Sequence, residues 1–146
     1  DYGGVPVKEV FYGWVDTVKP YPAERLGSVI CFGDGKGGFT LHDMPATLQR
    51  APVYSFQRME DQNGNRCYIA GGNFYDVIPY EGRYDAQPLA VFTCSRDKKI
   101  NYLHQENLAA FNGQVRDLKW ISRAGGKKTL SVAANNSPLH FFEYNP

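Results

Sequence analysis

Val53-Tyr54-Ser55-Phe56-Gln57-Arg58-Met59, the dipeptide Asn63-Gly64, and Cys67-Tyr68-Ile69-Ala70 form the stretch on which the fold turns. Apolar and polar residues alternate in both arms, the period of a strand with one buried face. Asn-Gly between two such arms is a strong hairpin signal, because it accepts the left-handed backbone of a tight turn. The stretch recurs 62 residues downstream. Val53 becomes Val115, Phe56 becomes Leu118, Met59 becomes Ile121, Asn63-Gly64 becomes Gly125-Gly126, and Gly71-Gly72-Asn73 becomes Ala133-Ala134-Asn135. The same offset relates Val29-Ile30 to Val91-Phe92 and Thr40-Leu41-His42 to Tyr102-Leu103-His104. A fixed period marks a unit that buries its apolar face by stacking on copies of itself.

Working outward, Ser28 to Phe32 and Phe39 to His42 flank a glycine-rich turn and read as a second hairpin. Leu89 to Cys94, a turn over Ser95 to Lys99, and Ile100 to His104 repeat it. Val115 to Ile121 is expected to place Val115, Asp117 and Lys119 on one face and Arg116, Leu118 and Trp120 on the other. Gly125-Gly126, Thr129 to Ala133 and Leu139 to Tyr144 complete the chain. Residues 105–112 could make one short turn of helix, but the equivalent stretch carries Pro45, which argues for loop. Long connections over 11–27 and 74–88 both begin Phe-Tyr and contain proline.

Four antiparallel strands per repeat is the pattern of a propeller blade. The expected fold is therefore all-β, built of antiparallel four-stranded blade repeats: a partial β-propeller of about two and a half blades. It divides into a partial blade over 1–50 (the last three strands), a full blade over 51–104 and a three-stranded blade over 113–146. Propellers typically hold four or more blades. The count implies that this single β-repeat domain is a propeller fragment completed by remaining blades of the same polypeptide, or that it closes as a homo-oligomer. A small sandwich of the same hairpins is the alternative.

Composition bounds the function. The chain has 146 residues, 42% of them hydrophobic, which excludes a disordered chain and allows one ordinary core. Ten Tyr, nine Phe and two Trp favour strands, and 15 Gly and nine Pro supply many turns. A net charge of +1 leaves no electrostatic footprint for nucleic acid. No apolar run is long enough for membrane insertion, and no signal peptide is visible. Cys31, Cys67 and Cys94 match no zinc spacing and read as small apolar strand residues.

Catalytic signatures fail on context. Gly33, Gly35 and Gly38 fit GxGxxG, but a strand follows where a dinucleotide site needs a helix. His42 and His104 fall on equivalent repeat positions, which argues for structure, since a catalytic base is needed once per site. His140 has no evident partner, and no GxSxG or HExxH occurs. The connection 74–88 instead concentrates aromatic and charged groups. Tyr75, Tyr80, Arg83, Tyr84 and Asp85 suit a carbohydrate or protein ligand, because tyrosine offers a flat apolar face with a polar tip and Arg and Asp give directed hydrogen bonds. The competing reading is that Arg83 and Asp85 pin this long loop to its own sheet. Tyr12, Trp14 and Tyr21 could form a sister surface.

Ser55-Phe56, Asp61-Gln62-Asn63-Gly64-Asn65, Ala70-Gly71-Gly72-Asn73-Phe74-Tyr75 and Pro79-Tyr80-Glu81-Gly82-Arg83-Tyr84-Asp85-Ala86 together carry a family resemblance. So do Gly113-Gln114-Val115-Arg116-Asp117-Leu118-Lys119 and Ala133-Ala134-Asn135-Asn136-Ser137-Pro138-Leu139. Over residues 29–144 the chain resembles FG-GAP/VCBS repeat proteins, whose integrin-α-like repeats form β-propellers, and more narrowly the C-terminal blades of large members of Bacteroidetes type. The resemblance implies an exported or cell-surface bacterial protein. It also implies a non-catalytic binding or scaffolding module acting through inter-strand loops. A glycan-active propeller enzyme and a purely structural segment are the alternatives. FG-GAP repeats often carry a calcium loop, D-x-[DN]-G-D-G-x-x-D. Asp61, Asn63 and Asn65 match its start and would be the metal ligands. Arg66 and Ile69 stand where a glycine and the last aspartate belong, so no cofactor is expected and the stretch reads as a hairpin capped by Asp61.

Overall fold

The structure, a computed structural model, describes residues 4–61 and 63–144. Helix α1 is Val7–Val10, followed by strands β1 Val29–Gly33, β2 Phe39–Asp43, β3 Val53–Glu60, β4 Arg66–Gly72, β5 Ala90–Cys94 and β6 Ile100–Leu103. Helix α2, Glu106–Ala109, precedes β7 Val115–Ser122, β8 Lys128–Ala134 and β9 His140–Tyr144. The strands form three antiparallel sheets, β1-β2, β3-β4-β5-β6 and β7-β8-β9. The protein is all-β in character, and among the described residues no helix is long and apolar enough to cross a membrane.

Alternation within the strands decides how the sheets stack. Cys67, Ile69 and Val91 leave one face of the middle sheet and pack against Val115, Leu118, Leu130 and Val132 of the third. Ala70 and Phe92 leave the other face and pack with Leu48, Ile30 and Met44. The central strands of the middle sheet, β4 and β5, are thus buried on both faces, which is why β5 reads as an almost unbroken apolar run. The third sheet also docks through its first strand, β7. Trp120 Nε1 donates to Arg58 O at 2.8 Å, Ser55 Oγ donates to Asp117 Oδ1 at 3.2 Å, and Leu118 N donates to Ser55 Oγ at 3.2 Å. These bonds join β3 to its own copy, β7.

The repeat is visible in the register. Shifting by 62 carries β3 and β4 onto β7 and β8 end to end, and the register slips at Val53/Ser55 and again at Val115/Asp117. That bulge corrects the expected faces of β7: Val115 and Leu118, assigned to opposite faces by strict alternation, are both buried in one cluster. A second correction concerns the first hairpin, which repeats at 61. Ile30↔His42 falls on Val91↔Leu103, and Gly33↔Phe39 falls on Cys94↔Ile100. His42 and His104 are therefore not equivalent. His42 lies in β2, edge-on to Phe32 at 5.0 Å, whereas His104 is exposed beyond the end of β6.

Two further elements differ from expectation. The first sheet has two strands where three were expected; residues 4–27 hold α1 and no strand. Residues 105–112, expected as loop, contain the single turn α2, and their counterpart is a 3₁₀ turn at Ala46–Leu48. Pro45 does not prevent it, because it stands just before the first helical residue, where a missing N–H breaks no helical bond.

The hairpins β1-β2, β3-β4, β5-β6 and β7-β8 close with one five-residue turn. The first residue's N–H donates to the fifth residue's C=O at Asp34→Gly38, Asp61→Asn65, Ser95→Lys99 and Arg123→Lys127, at 2.8–3.0 Å. The fourth residue is left-handed in each: Gly37, Gly64, Lys98 and Gly126. Two stability measurements follow. Leu118→Ala, at a 0% exposed position between sheets, is expected to cost about 3 kcal/mol in denaturant unfolding. Gly64→Ala, forcing a Cβ into φ 75°, is expected to cost about 1 kcal/mol.

Candidate functional site

An antiparallel meander sends its connections alternately to two ends. One end carries only the tight turns just described. The other carries the longer stretches 44–52, 73–89, 104–114 and 135–139, and it gathers the polar and aromatic groups.

Asn73 organises this end. It is 0% exposed with φ 78°, a conformation that asparagine tolerates better than most residues. Its N–H donates to Pro52 O at 3.0 Å, just before β3. Its Oδ1 accepts from Gln87 N at 2.9 Å, just before β5, and its Nδ2 donates to Asn112 Oδ1 at 2.7 Å and Gly113 O at 3.2 Å, just before β7. Its own carbonyl accepts from Arg116 Nη1 at 3.2 Å. The adjoining Gly72 has no room for a side chain: a Cβ would stand 1.8 Å from Pro52 O. Asn135, the copy of Asn73, repeats part of the pattern, donating from N to Gln114 O at 2.9 Å and from Nδ2 to Gln114 Oε1 at 3.1 Å. The signal for Asn73 lay in the repeat, where both copies end in asparagine; Gln87 and Gln114, buried beside it, carried none.

The connection 74–88 is tied at its base. Phe74 and Tyr84 exchange two backbone hydrogen bonds at 2.9 Å. Tyr75 donates its hydroxyl to Asn112 O at 3.1 Å, and Gln114 Nε2 donates to Asp76 Oδ2 at 3.2 Å. Arg83 lies over the Tyr75 ring, 5.1 Å from its centroid. Above the base, Ile78 to Glu81 form a turn with Pro79 at its second position, closed by Glu81 N→Ile78 O at 2.9 Å. Tyr80 is 85% exposed and Tyr84 47% exposed, with Glu81, Arg83 and Asp85 exposed beside them. Of the five residues singled out by sequence, Tyr75 and Arg83 therefore stand together at the base. Tyr80, Tyr84 and Asp85 are presented to solvent. The loop is held mainly by Asn73, Tyr75, Asp76 and main-chain bonds, and Asp85 makes no side-chain hydrogen bond or ion pair among the described residues. Nearby, Arg116 lies 4.3 Å from the ring centroid of half-exposed Tyr54.

Asp61, Asn63 and Asn65 are at the opposite end. Asp61 Oδ1 accepts from Asn63 N and Asn65 N at 2.9 and 2.7 Å, and Oδ2 accepts from Asn65 Nδ2 at 2.9 Å. Both carboxylate oxygens close the turn, as Asp34 Oδ1 closes its own with Lys36 N and Gly38 N. Among the described residues no three His, Cys, Asp or Glu gather as a metal cluster. The three cysteines are free thiols in β1, β4 and β5, and burial pushes the Cys67 and Cys94 thiols up.

The Asn65 side-chain amide, with backbone N–H groups of the turn, holds Asp61 below the usual carboxylate value. The Lys36 and Gly38 N–H groups do the same for Asp34, and the Ser95 hydroxyl for Asp97. A depressed folded-state pKa stabilises fully above roughly pH 4, the ordinary aspartate value, and that stability is lost as pH falls through the lower folded value. The acid limb of a Tm–pH profile is expected to flatten in an Asp34→Asn, Asp61→Asn, Asp97→Asn triple variant. Asn73→Ala is expected to cost about 3 kcal/mol, because it leaves the Gln87 N–H and the Gly113 and Asn112 acceptors without their partner; chemical denaturation measures it.

Comparison of the chain with protein-family models, with curated proteins and with solved structures finds no match.

Proposed function

We propose that the chain is a propeller segment of FG-GAP/VCBS type, from an exported or cell-surface bacterial protein, that serves as a non-catalytic recognition module. Its stacked sheets supply a rigid base, and the ligand, a carbohydrate or a protein surface, is taken at the long-loop end. The remaining blades come from the same polypeptide or from further copies. The propeller reading is supported by a four-stranded meander whose first two strands recur at a shift of 62, stacked face on face with its copy. Sheets of two and three strands on either side fit neighbouring blades that are incomplete within the chain.

One observation carries the recognition reading. The connection 74–88 is anchored at its base by buried Asn73 and by Tyr75 with Arg83 over its ring, while Tyr80, Tyr84 and Asp85 are presented to solvent. A tip held by a fixed base loses little conformational freedom on binding. Exposed tyrosines beside charged groups give stacking faces and directed hydrogen bonds.

The test is a glycan and peptide array probed with the wild-type chain and with a Tyr80→Ala, Tyr84→Ala variant. Binding is expected to fall at least about tenfold in the variant with Tm little changed, since Tyr80 is largely solvated and Tyr84 half-exposed. An array without a binder, or a binder indifferent to both substitutions, contradicts the reading.

A further inference from the structure

The first sheet is two strands short of the middle one, and the shortfall leaves a groove. Under the shift of 61, β1 is the counterpart of β5, whose inner edge carries β4. The same edge of β1 pairs with no strand among the described residues. Beside it lies a cleft of about 570 Å³, with Ile30 and Phe32 on one wall and Val53, Phe56, Tyr68 and Phe92 on the other.

One unit further on, this seat is filled. Cys67 and Ile69 of β4 close over Val115, Leu118 and Leu130, which are 1%, 0% and 1% exposed. Their counterparts 62 residues earlier are Val53, Phe56 and Tyr68, and Phe56 is 64% exposed. A large apolar side chain that is fully covered in its copy here lacks its cover.

We propose that this groove is a strand-binding site and that its occupant is Val5–Val10 of the same chain, added antiparallel to β1 as a third strand. The segment is weakly held in its present place. Helix α1 has four residues, no side-chain cap and no buried residue, and a single uncapped turn is marginal in water. Val5 and Val7 are 39% and 65% exposed and belong to neither core cluster, so leaving their present place opens no core. The connection fits. Residues 11–28 would link the new strand to β1, and residues 73–89 link β4 to β5, that is, 18 residues against 17. Both links open with Phe-Tyr within two residues of the strand, at Phe11-Tyr12 and Phe74-Tyr75.

The chemistry fits as well. Val5, Pro6 and Val7 give the period-two pattern that sets both valines on one face. With Val5 and Val7 bonded to β1, the Pro6 nitrogen, which has no hydrogen to donate, faces the open outer edge, where strands tolerate proline. Docked, the valines take the place over Phe56 and Tyr68 that Cys67 and Ile69 hold over Leu118 and Leu130. The proposal is independent of any ligand at the long-loop end.

Residue-resolved hydrogen exchange on the full chain tests it, comparing wild type with a Val5→Asp, Val7→Asp variant and recording mass in parallel. The wild-type amides of residues 5, 7 and 9 are expected to exchange about 100-fold or more slower than unstructured chain, while those of residues 8 and 10, on the open edge with Pro6, exchange freely. In the variant, that protection and the protection of β1 should be lost together, while β4, β5, β7 and β8 keep theirs. Wild-type exchange of residues 5 and 7 at the unstructured rate overturns the proposal, as does β1 protection indifferent to the substitutions. Protection confined to a species of twice 16.4 kDa assigns the strand to a neighbouring copy and overturns the intramolecular seat.

Discussion

Asn73 ties together the entry points of three strands. One buried side chain and its own peptide unit bond to Pro52 before β3, to Gln87 before β5, and to Asn112 and Gly113 before β7. The geometry demands a residue that donates and accepts at once and that sits in the left-handed region. Aspartate lacks the donor, glutamine is longer by one methylene, and alanine has neither group. Main-chain groups beside it would otherwise be buried without partners, which is costly in a dry interior.

The stack and the loop both follow from that tie. With the end of β4 fixed against the starts of β3 and β7, the middle and third sheets approach closely enough that a Cβ on Gly71 would stand 2.7 Å from Val115 Cγ1. At this separation Ile69, Leu118, Leu130 and Val132 interlock as one cluster. Farther along the inner strands, Ser55 and the Trp120 indole satisfy polar groups between β3 and β7. The same tie holds the base of the 74–88 connection, so Tyr80 and Tyr84 are exposed on a loop with fixed ends.

Much of this was legible in the residues. Alternation in Val53 to Met59, Asn63-Gly64 and the shift of 62 correctly located β3, β4, β7 and β8, because one-sided burial imposes a period of two. Three points escaped for physical reasons. The bulge at Val115/Asp117 interrupts the period, so strict alternation misplaced Val115 relative to Leu118. The first hairpin repeats at 61, and a slip of one residue reverses every side chain, so the matching letters at His42 and His104 misled. The helical turn at 106–109 carries weak propensity signals, and its form is set by packing of Leu108 against the core. At the long-loop end, exposure of Tyr80 and Tyr84 was readable as a loop property, whereas the partners of Asn73 lie 14 to 43 residues away and no local pattern announces them.

The central claim is that the middle unit docks on its own copy, strand on equivalent strand, through contacts 62 residues apart. Nuclear Overhauser contacts in solution test it most directly. The account predicts cross-peaks from the Trp120 indole N–H to the Arg58 backbone region and from the Leu118 amide to Ser55. Well-formed hairpins β3-β4 and β7-β8 without those cross-peaks would contradict it, since the sheets would then exist without the stack.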